Sequence, residues 1–350
     1  MFVVAQIIPT GIGARIGGFV GDATPATNLL ASIADKVIAH PNVINGVELY
    51  LARQNVLYVE GYMLNRFFLG EIALKEVIGN KIGVVLDSGY KDKESIDIAI
   101  NTMDAIKAVK GIDIIGYVMT ERPVGVKAVK TKSGAFAGEI ERPETFLDAA
   151  RKLIKKGANA IAVSTVIQIK KKDLYAYLKG KGPNPYGGAE AIISHTISKT
   201  FNVPCAHAPL LTKEEMKLEM APKIVDPRAG AEAISPAYLG CALQGLHKAP
   251  QPIRPESAKE DDITIDDISA ILVPADALGG IPALVSEKRG IKIIAVEENK
   301  TVLNVTAERL GLRNAIHVKN YLEAAGLVAA MKEGIDYKTI TRPLKRVGEI

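Results

Sequence analysis

A chain of 350 residues that is 48% hydrophobic and 24% charged is too apolar to be disordered and long enough for a large core, as two domains or one big α/β unit. A net charge of +5 with 5% aromatic residues and no tryptophan provides neither a strongly basic face nor many stacking platforms, which argues against nucleic-acid binding. The amino terminus begins with strand-like residues rather than a basic segment and a long apolar run, and the longest weakly polar stretch, Ile268 to Val285, contains Asp276 and two prolines; the expectation is a soluble, cytoplasmic protein without membrane spans.

The chain opens with a β-rich run, Phe2 to Ile8, followed by Pro9 and the loop Thr10-Gly11-Ile12-Gly13-Ala14-Arg15-Ile16-Gly17-Gly18. Gly21-Asp22-Ala23-Thr24-Pro25 then reads as a helix start, with Thr24 as N-cap and Pro25 at the first helical position. Further apolar runs predict strands at about 36–39, 56–60, 82–87, 112–119 and 160–167. Between them, Lys93 to Val109 and Pro143 to Lys156 have the periodicity of amphipathic helices, stopped by Gly111 and Gly157. Another helix is predicted from Gly188 to Lys199.

Near the carboxyl end the opening order returns: Ala270 to Val273, Pro274, Asp276, Gly279-Gly280, and a helix near Pro282 to Lys288. A strand at 291–296 and a helix-strand-helix through 302–310, 315–318 and 322–331 complete a second α/β unit. Nearly continuous apolar strands alternating with such helices predict an α/β fold with a mainly parallel, doubly wound (Rossmann-like) sheet in two lobes. The polar stretch from Pro250 to Asp267 suggests a soft boundary between residues 1–250, which carry most of the site, and 265–350, which contribute the Asp276 and Gly279-Gly280 loop.

A strand feeding a side-chain-poor loop and a helix start leaves main-chain N–H groups for a ligand oxygen. On that ground Thr10, Gly11, Gly13 and Asp22 are candidate ligand contacts, and so are Asp276 and Gly280. The stretch Lys179-Gly180-Lys181-Gly182-Pro183-Asn184-Pro185-Tyr186-Gly187-Gly188 repeats the pattern, with Asn184, Gly187 and Gly188 facing the same opening. Glu190 stands in the first turn of its helix, either as an acid–base group or as a partner of the helix dipole. His195 is either a satisfied half-buried histidine or an acid–base group, and five residues of separation predict that the two face different sides.

Polar residues at strand ends add His40, Asn42 with Asn45, Glu60, Asp87, Ser164-Thr165, His207 and Asp226-Pro227-Arg228, because ligands of parallel sheets gather beyond the carboxyl ends of strands. Arg228 is the expected partner of a substrate anion. Cys205 and Cys241 read as reduced, buried thiols. No histidine pair has zinc-type spacing; magnesium beside a phosphate could be held by Asp22 or Asp276, although the sequence requires no cofactor. The glycines invite comparison with a dinucleotide fingerprint, but the helix starts too late and no acidic residue ends the next strand.

Pro9 to Ala14 with Gly17-Gly18 and Gly21-Asp22-Ala23, His40-Pro41-Asn42-Val43 with Asn45, Tyr58-Val59-Glu60-Gly61, and Asn184 to Gly188 with Glu190, Ser194 and His195 together resemble the uncharacterised family catalogued as domain of unknown function 3326. Val225-Asp226-Pro227-Arg228 with Glu232, and Val273-Pro274 with Gly279-Gly280, Pro282, Glu297, Asn299 and Thr301, extend the resemblance over nearly the whole chain. The family pattern has tryptophan where Tyr186 stands and serine where Ala208 stands. The resemblance implies a soluble protein and carries no established activity.

The residues themselves favour an enzyme acting on a small carboxylate or phosphate metabolite by acid–base chemistry, as a lyase, isomerase or hydrolase. Glu190 with His195 or His207 are its expected proton-transfer groups. The alternatives are a nicotinamide-dependent oxidoreductase and a non-catalytic metabolite-binding protein. A homo-oligomer is the default expectation for such a chain.

Overall fold

The computed structural model describes residues 1–40, 52–89, 93–212, 215–217, 224–234 and 237–349. The chain begins with β1 (Val3–Gln6), α1 (Thr24–Ala31), β2 (Lys36–Ala39), β3 (Val56–Tyr58) and α2 (Gly61–Phe68). Its middle carries β4 (Ala73–Lys75), β5 (Ile82–Leu86), α3 (Lys93–Lys110), β6 (Ile114–Met119), β7 (Val126–Lys130), β8 (Phe136–Ile140), α4 (Pro143–Lys155) and β9 (Ala160–Thr165). Then come β10 (Ile167–Gln168), α5 (Lys171–Leu178), α6 (Gly187–Phe201), β11 (Cys205–Pro209), α7 (Gly230–Ile234), α8 (Tyr238–His247) and β12 (Gln251–Ile253). The last part adds β13 (Ile268–Pro274), α9 (Ile281–Arg289), β14 (Lys292–Val296), α10 (Ala307–Leu310), β15 (Ala315–Val318) and α11 (Tyr321–Lys332).

These elements make a mixed α/β fold. One sheet has six parallel strands in the order β15-β14-β13-β1-β2-β3, and a second has four parallel strands in the order β11-β9-β5-β6. Alternation along the strands builds a core on each face of the first sheet. Val4, Val37, Leu272 and Ile294 join the core that extends under the second sheet. Val3, Ala5, Ile38, Ile271 and Ile293 pack with Phe67 and Phe68 of α2 on the other face. Among the described residues, antiparallel pairing is confined to the smaller units, β7 with β8 and β4 with β12.

Because β1 pairs with both β2 and β13, the first three strands and the last three share a sheet, and a division of the chain near residues 250–265 does not follow the sheets. The polar stretch read as a linker is hydrogen-bonded into the fold. Gln251–Ile253 pairs with β4, Ile263 bridges Leu74, and Ile263 and Ile265 are buried. Their polar neighbours mask that short apolar register in the sequence. Helix α1 begins one residue earlier than predicted: Ala23 is its N-cap without a side-chain bond. The hydroxyl that works there is that of Thr27, 2.7 Å from Gln6 Oε1 and 3.0 Å from the Ala23 carbonyl.

Helix α6 packs against β8, β11 and α2, and its first turn sits where a side chain cannot fit. A Cβ on Gly188 would collide with the Phe136 carbonyl oxygen, one on Gly138 would come within 2.5 Å of the Ala189 Cα, and one on Gly11 within 2.8 Å of the Phe136 oxygen. The main-chain N–H of Phe136 meanwhile donates to the Gly11 carbonyl at 2.9 Å. Gly188→Ala is therefore expected to cost about 1–3 kcal/mol through overpacking. Gly182→Ala, whose Cβ would find its nearest neighbour at 3.8 Å, should stay within about 0.5 kcal/mol of the parent. Urea denaturation of both variants checks the contrast, and equal stabilities would refute the packing role.

Candidate functional site

Five residues of α6, Gly187, Glu190, Ala191, Ser194 and His195, recur at the spacing of one helical face and line one cleft of about 460 Å³. The residues opposite come from the carboxyl ends of three neighbouring strands: Thr10 beyond β1, His40 beyond β2, and Glu60 beyond β3. His207 of β11 closes the inner wall. A second cleft, of about 530 Å³, shares Glu190 and His207 and is walled by Asn184, Tyr186, Glu232, Tyr238 and Cys241. Glu190 and His195 are about 140° apart around their helix, and the cleft spans that arc, with Ala191 and Ser194 between them.

Glu60 is the N-cap of α2. Its Oε2 accepts from the main-chain N–H groups of Tyr62 at 2.8 Å and Met63 at 3.2 Å. Its Oε1 lies 3.1 Å from His195 Nε2 and 3.3 Å from the Ser194 hydroxyl. The side chain is 1% exposed, and burial pushes its pKa up to about 7. The same loss of water pulls the pKa of half-buried His195 down. Gly61 makes this contact possible, since a Cβ there would stand 2.6 Å from His195 Nε2.

His40 is buried, and its Nε2 accepts from the main-chain N–H of Ile8 at 2.9 Å. A neutral ring bound in this way carries its proton on Nδ1. Burial first, and then the neighbouring His195, hold the His40 pKa down at about 4. His207 uses both ring nitrogens, with Nδ1 3.4 Å from Glu190 Oε1 and Nε2 2.7 Å from the Thr165 hydroxyl. Its side chain is 1% exposed, against 20% for Glu190.

The structure thus brings Thr10, Glu60, Gly187, Glu190, His195 and His207 into one cleft and Asn184 into its neighbour. Gly11, Gly13 and Gly188 are nearby, but they serve close packing: Gly13 abuts Pro183 and Gly11 meets Gly188. Arg228 is committed elsewhere. Its guanidinium takes both carboxylate oxygens of Asp226, at 2.8 and 2.9 Å, and covers the Phe19 ring at 4.6 Å. Hydrogen bonds from Arg228 hold the Asp226 pKa down at about 2.

Asp22, which burial pushes up to about 6, accepts from the main-chain N–H groups of Gly17 at 2.7 Å and Phe19 at 3.3 Å. Asp276 accepts from the Thr301 N–H at 3.0 Å and hydroxyl at 2.9 Å. Both carboxylates named as possible magnesium ligands therefore fasten loops. Neither Asp276 nor exposed Gly280 lines the two clefts. Among the described residues, no group of three or more His, Cys, Asp and Glu side chains is arranged to hold a metal ion. Asn42 and Asn45 lie outside the described residues.

Two buried partners were not singled out as site residues. Thr165 appears in the sequence only as a strand end. Glu232 accepts from the Val20 N–H at 2.9 Å and from the Tyr177 hydroxyl, contacts that no local pattern announces.

A carboxyl whose folded pKa exceeds its unfolded one favours the fold while protonated. For Glu60 that contribution is complete below its ordinary value of 4.5 and is lost as pH rises through about 7, a change of about 3 kcal/mol. His40 acts in the opposite sense: its contribution is complete above 6.5 and is lost as pH falls through about 4. The stability of the parent relative to Glu60→Gln isolates the first effect. It should fall by about 3 kcal/mol between about pH 4 and pH 8 in urea titrations, and a flat difference would show that Glu60 remains in contact with water.

Among the described residues, no helix is long and apolar enough to cross a membrane. The chain is similar to an uncharacterized lipoprotein of Synechococcus sp., 39% identical over 332 residues that cover 94% of this chain and 90% of that relative. Residues 3–341 match the family described as protein of unknown function (DUF3326). With the match running through both parallel sheets and both clefts, the chain belongs to that family.

Proposed function

We propose that the chain is an enzyme acting on a small anionic metabolite, a carboxylate or phosphate, by acid–base chemistry, as a lyase, isomerase or hydrolase. The observation that carries this reading is the opposite build of two carboxylate–imidazole pairs beside one cleft. In the first pair, the His207 side chain is 1% exposed and the Glu190 carboxylate 20%. In the second, the Glu60 carboxylate is 1% exposed and the His195 ring 40%. Each pair offers one group to a substrate and encloses the partner that orients it. Glu190 and His195 are accordingly the proton-transfer groups, with His207 and Glu60 as their supports.

Three further features favour the reading. The strand order β3-β2-β1-β13-β14-β15 is the 3-2-1-4-5-6 order of a doubly wound, Rossmann-like sheet, with α1 and α11 in contact with each other and α2 in contact with α9. In such sheets ligands bind beyond the strand carboxyl ends where the order reverses, here between β1 and β13, and Thr10 follows β1. We read each parallel sheet as one lobe. With Arg228 held by Asp226, the substrate anion is assigned to the positive end of the α6 dipole, beside Gly187.

A cytoplasmic setting is favoured by Cys205, a free and buried thiol. The lipoprotein name of the Synechococcus relative favours an anchored or exported form instead. Fractionation of cells producing the full chain separates the two.

Protein incubated in heavy water with a panel of small carboxylates and phosphates is expected to exchange a proton on, or convert, at least one compound, as read by mass spectrometry. Glu190→Gln should slow that reaction by about 10²–10⁴-fold while still binding the compound. Full turnover in the variant removes Glu190 from the chemistry. A metabolite retained in native mass spectra without turnover supports a non-catalytic binding protein, and a fluorescence change on titration with reduced nicotinamide cofactor supports the oxidoreductase.

A further inference from the structure

The acid–base reading uses His207 only as a support, yet both ring nitrogens of this buried side chain are engaged. Strand β11 runs parallel to β9 with His207 opposite Val163 and Pro209 opposite Thr165. Side chains two apart on a strand share a face, so Thr165 is the diagonal neighbour of His207 on one face of the sheet. That register brings the Thr165 hydroxyl to 2.7 Å from His207 Nε2, while Nδ1 stands 3.4 Å from Glu190 Oε1. Thr165 is fully buried, so water does not compete for the contact.

A neutral imidazole carries one N–H and one bare nitrogen. An ionised carboxylate only accepts, so an ionised Glu190 requires the proton on Nδ1. Nε2 is then bare and needs a donor, and the hydroxyl facing it is that of Thr165. We propose that Thr165 is a positioning residue: by donating to Nε2 it selects the Nδ1–H tautomer of His207 and directs that N–H at Glu190 Oε1. The proposal deepens the acid–base reading and rests on it. With Oε1 occupied by His207, the oxygen of Glu190 that exchanges a proton with substrate is Oε2. Thr165→Val keeps the β-branched shape of the strand residue and removes only the donor, and Thr165→Ser restores it.

The test reads the tautomer directly, on the full-length protein with ¹⁵N-labelled histidine, by long-range ¹H–¹⁵N correlation at neutral pH. His207→Gln assigns the signals. The parent protein should show His207 as a single Nδ1–H form. Thr165→Val should lose that single form, Thr165→Ser should recover it, and Glu190→Gln should keep it, because the amide oxygen still accepts. Unchanged His40 and His195 signals in each variant show that the cleft is intact.

A proton on Nε2 in the parent overturns the proposal. So does an unaltered tautomer in Thr165→Val, or a switch that follows Glu190→Gln alone. If Thr165→Val does not fold, Thr165→Ala, which also removes the donor, is read in its place against Thr165→Ser. The measurement needs no substrate, so its failure is distinct from the failure of the turnover experiment with Glu190→Gln.

Discussion

The arrangement depends on one steric constraint: the first turn of α6 touches the main chain of β8 and of the loop that leaves β1. Gly11, Gly138 and Gly188 allow this contact because each lacks the Cβ that would strike a neighbouring backbone atom. Once α6 lies there, its 187-190-191-194-195 face looks across at Thr10, His40 and Glu60, so the geometry of the candidate site follows from a packing distance. The same contact explains why glycines occur in clusters at two distant places in the chain. Gly11 from the first cluster and Gly187 and Gly188 from the second meet in a single interface.

Buried polar side chains hold the Gly-rich loop in register with that helix. Asn299, fully buried, accepts from the Ile16 N–H and donates to the Ile16 carbonyl, both at 2.9 Å, and also donates to the Tyr321 hydroxyl at 3.0 Å. The loop is further tied by Val302 donating to the Ile12 carbonyl at 2.9 Å and by Glu232 accepting from Val20 at 2.9 Å. These bonds satisfy main-chain groups that a long irregular loop would otherwise leave unpaired away from water. A loop so tied is a scaffold rather than a lid.

Much of the fold was legible because it rests on local patterns. Proline at the start, a glycine stop and a single apolar face marked α4, and apolar runs of strand length marked β2, β5 and β9. The β7–β8 hairpin was missed because its strands carry lysine and glutamate on half-exposed faces. In the candidate site, the strand-end rule found His40, Glu60, Thr165 and His207, and the glycine pair before a helix found Gly187 and Glu190. Two kinds of information were hidden. The pairing of Thr165 with His207 depends on the register of two parallel strands, and the Asn299 bond to Ile16 joins residues 283 apart. The glycines were found, but their use was not: a sequence shows that a side chain is missing without showing whether a ligand or another backbone takes its place.

The electrostatics of the second pair follow from the same burial. Removing water raises the Glu60 pKa and lowers that of His195, so both shifts favour the neutral partners over the ion pair. The helix-cap bonds from Tyr62 and Met63 act the other way, stabilising ionised Glu60. Of the two opposing influences on Glu60, burial is the larger. With His195 Nε2 only 3.1 Å from Glu60 Oε1, the two groups titrate as a coupled pair, and a change in the charge of either alters the protonation of the other.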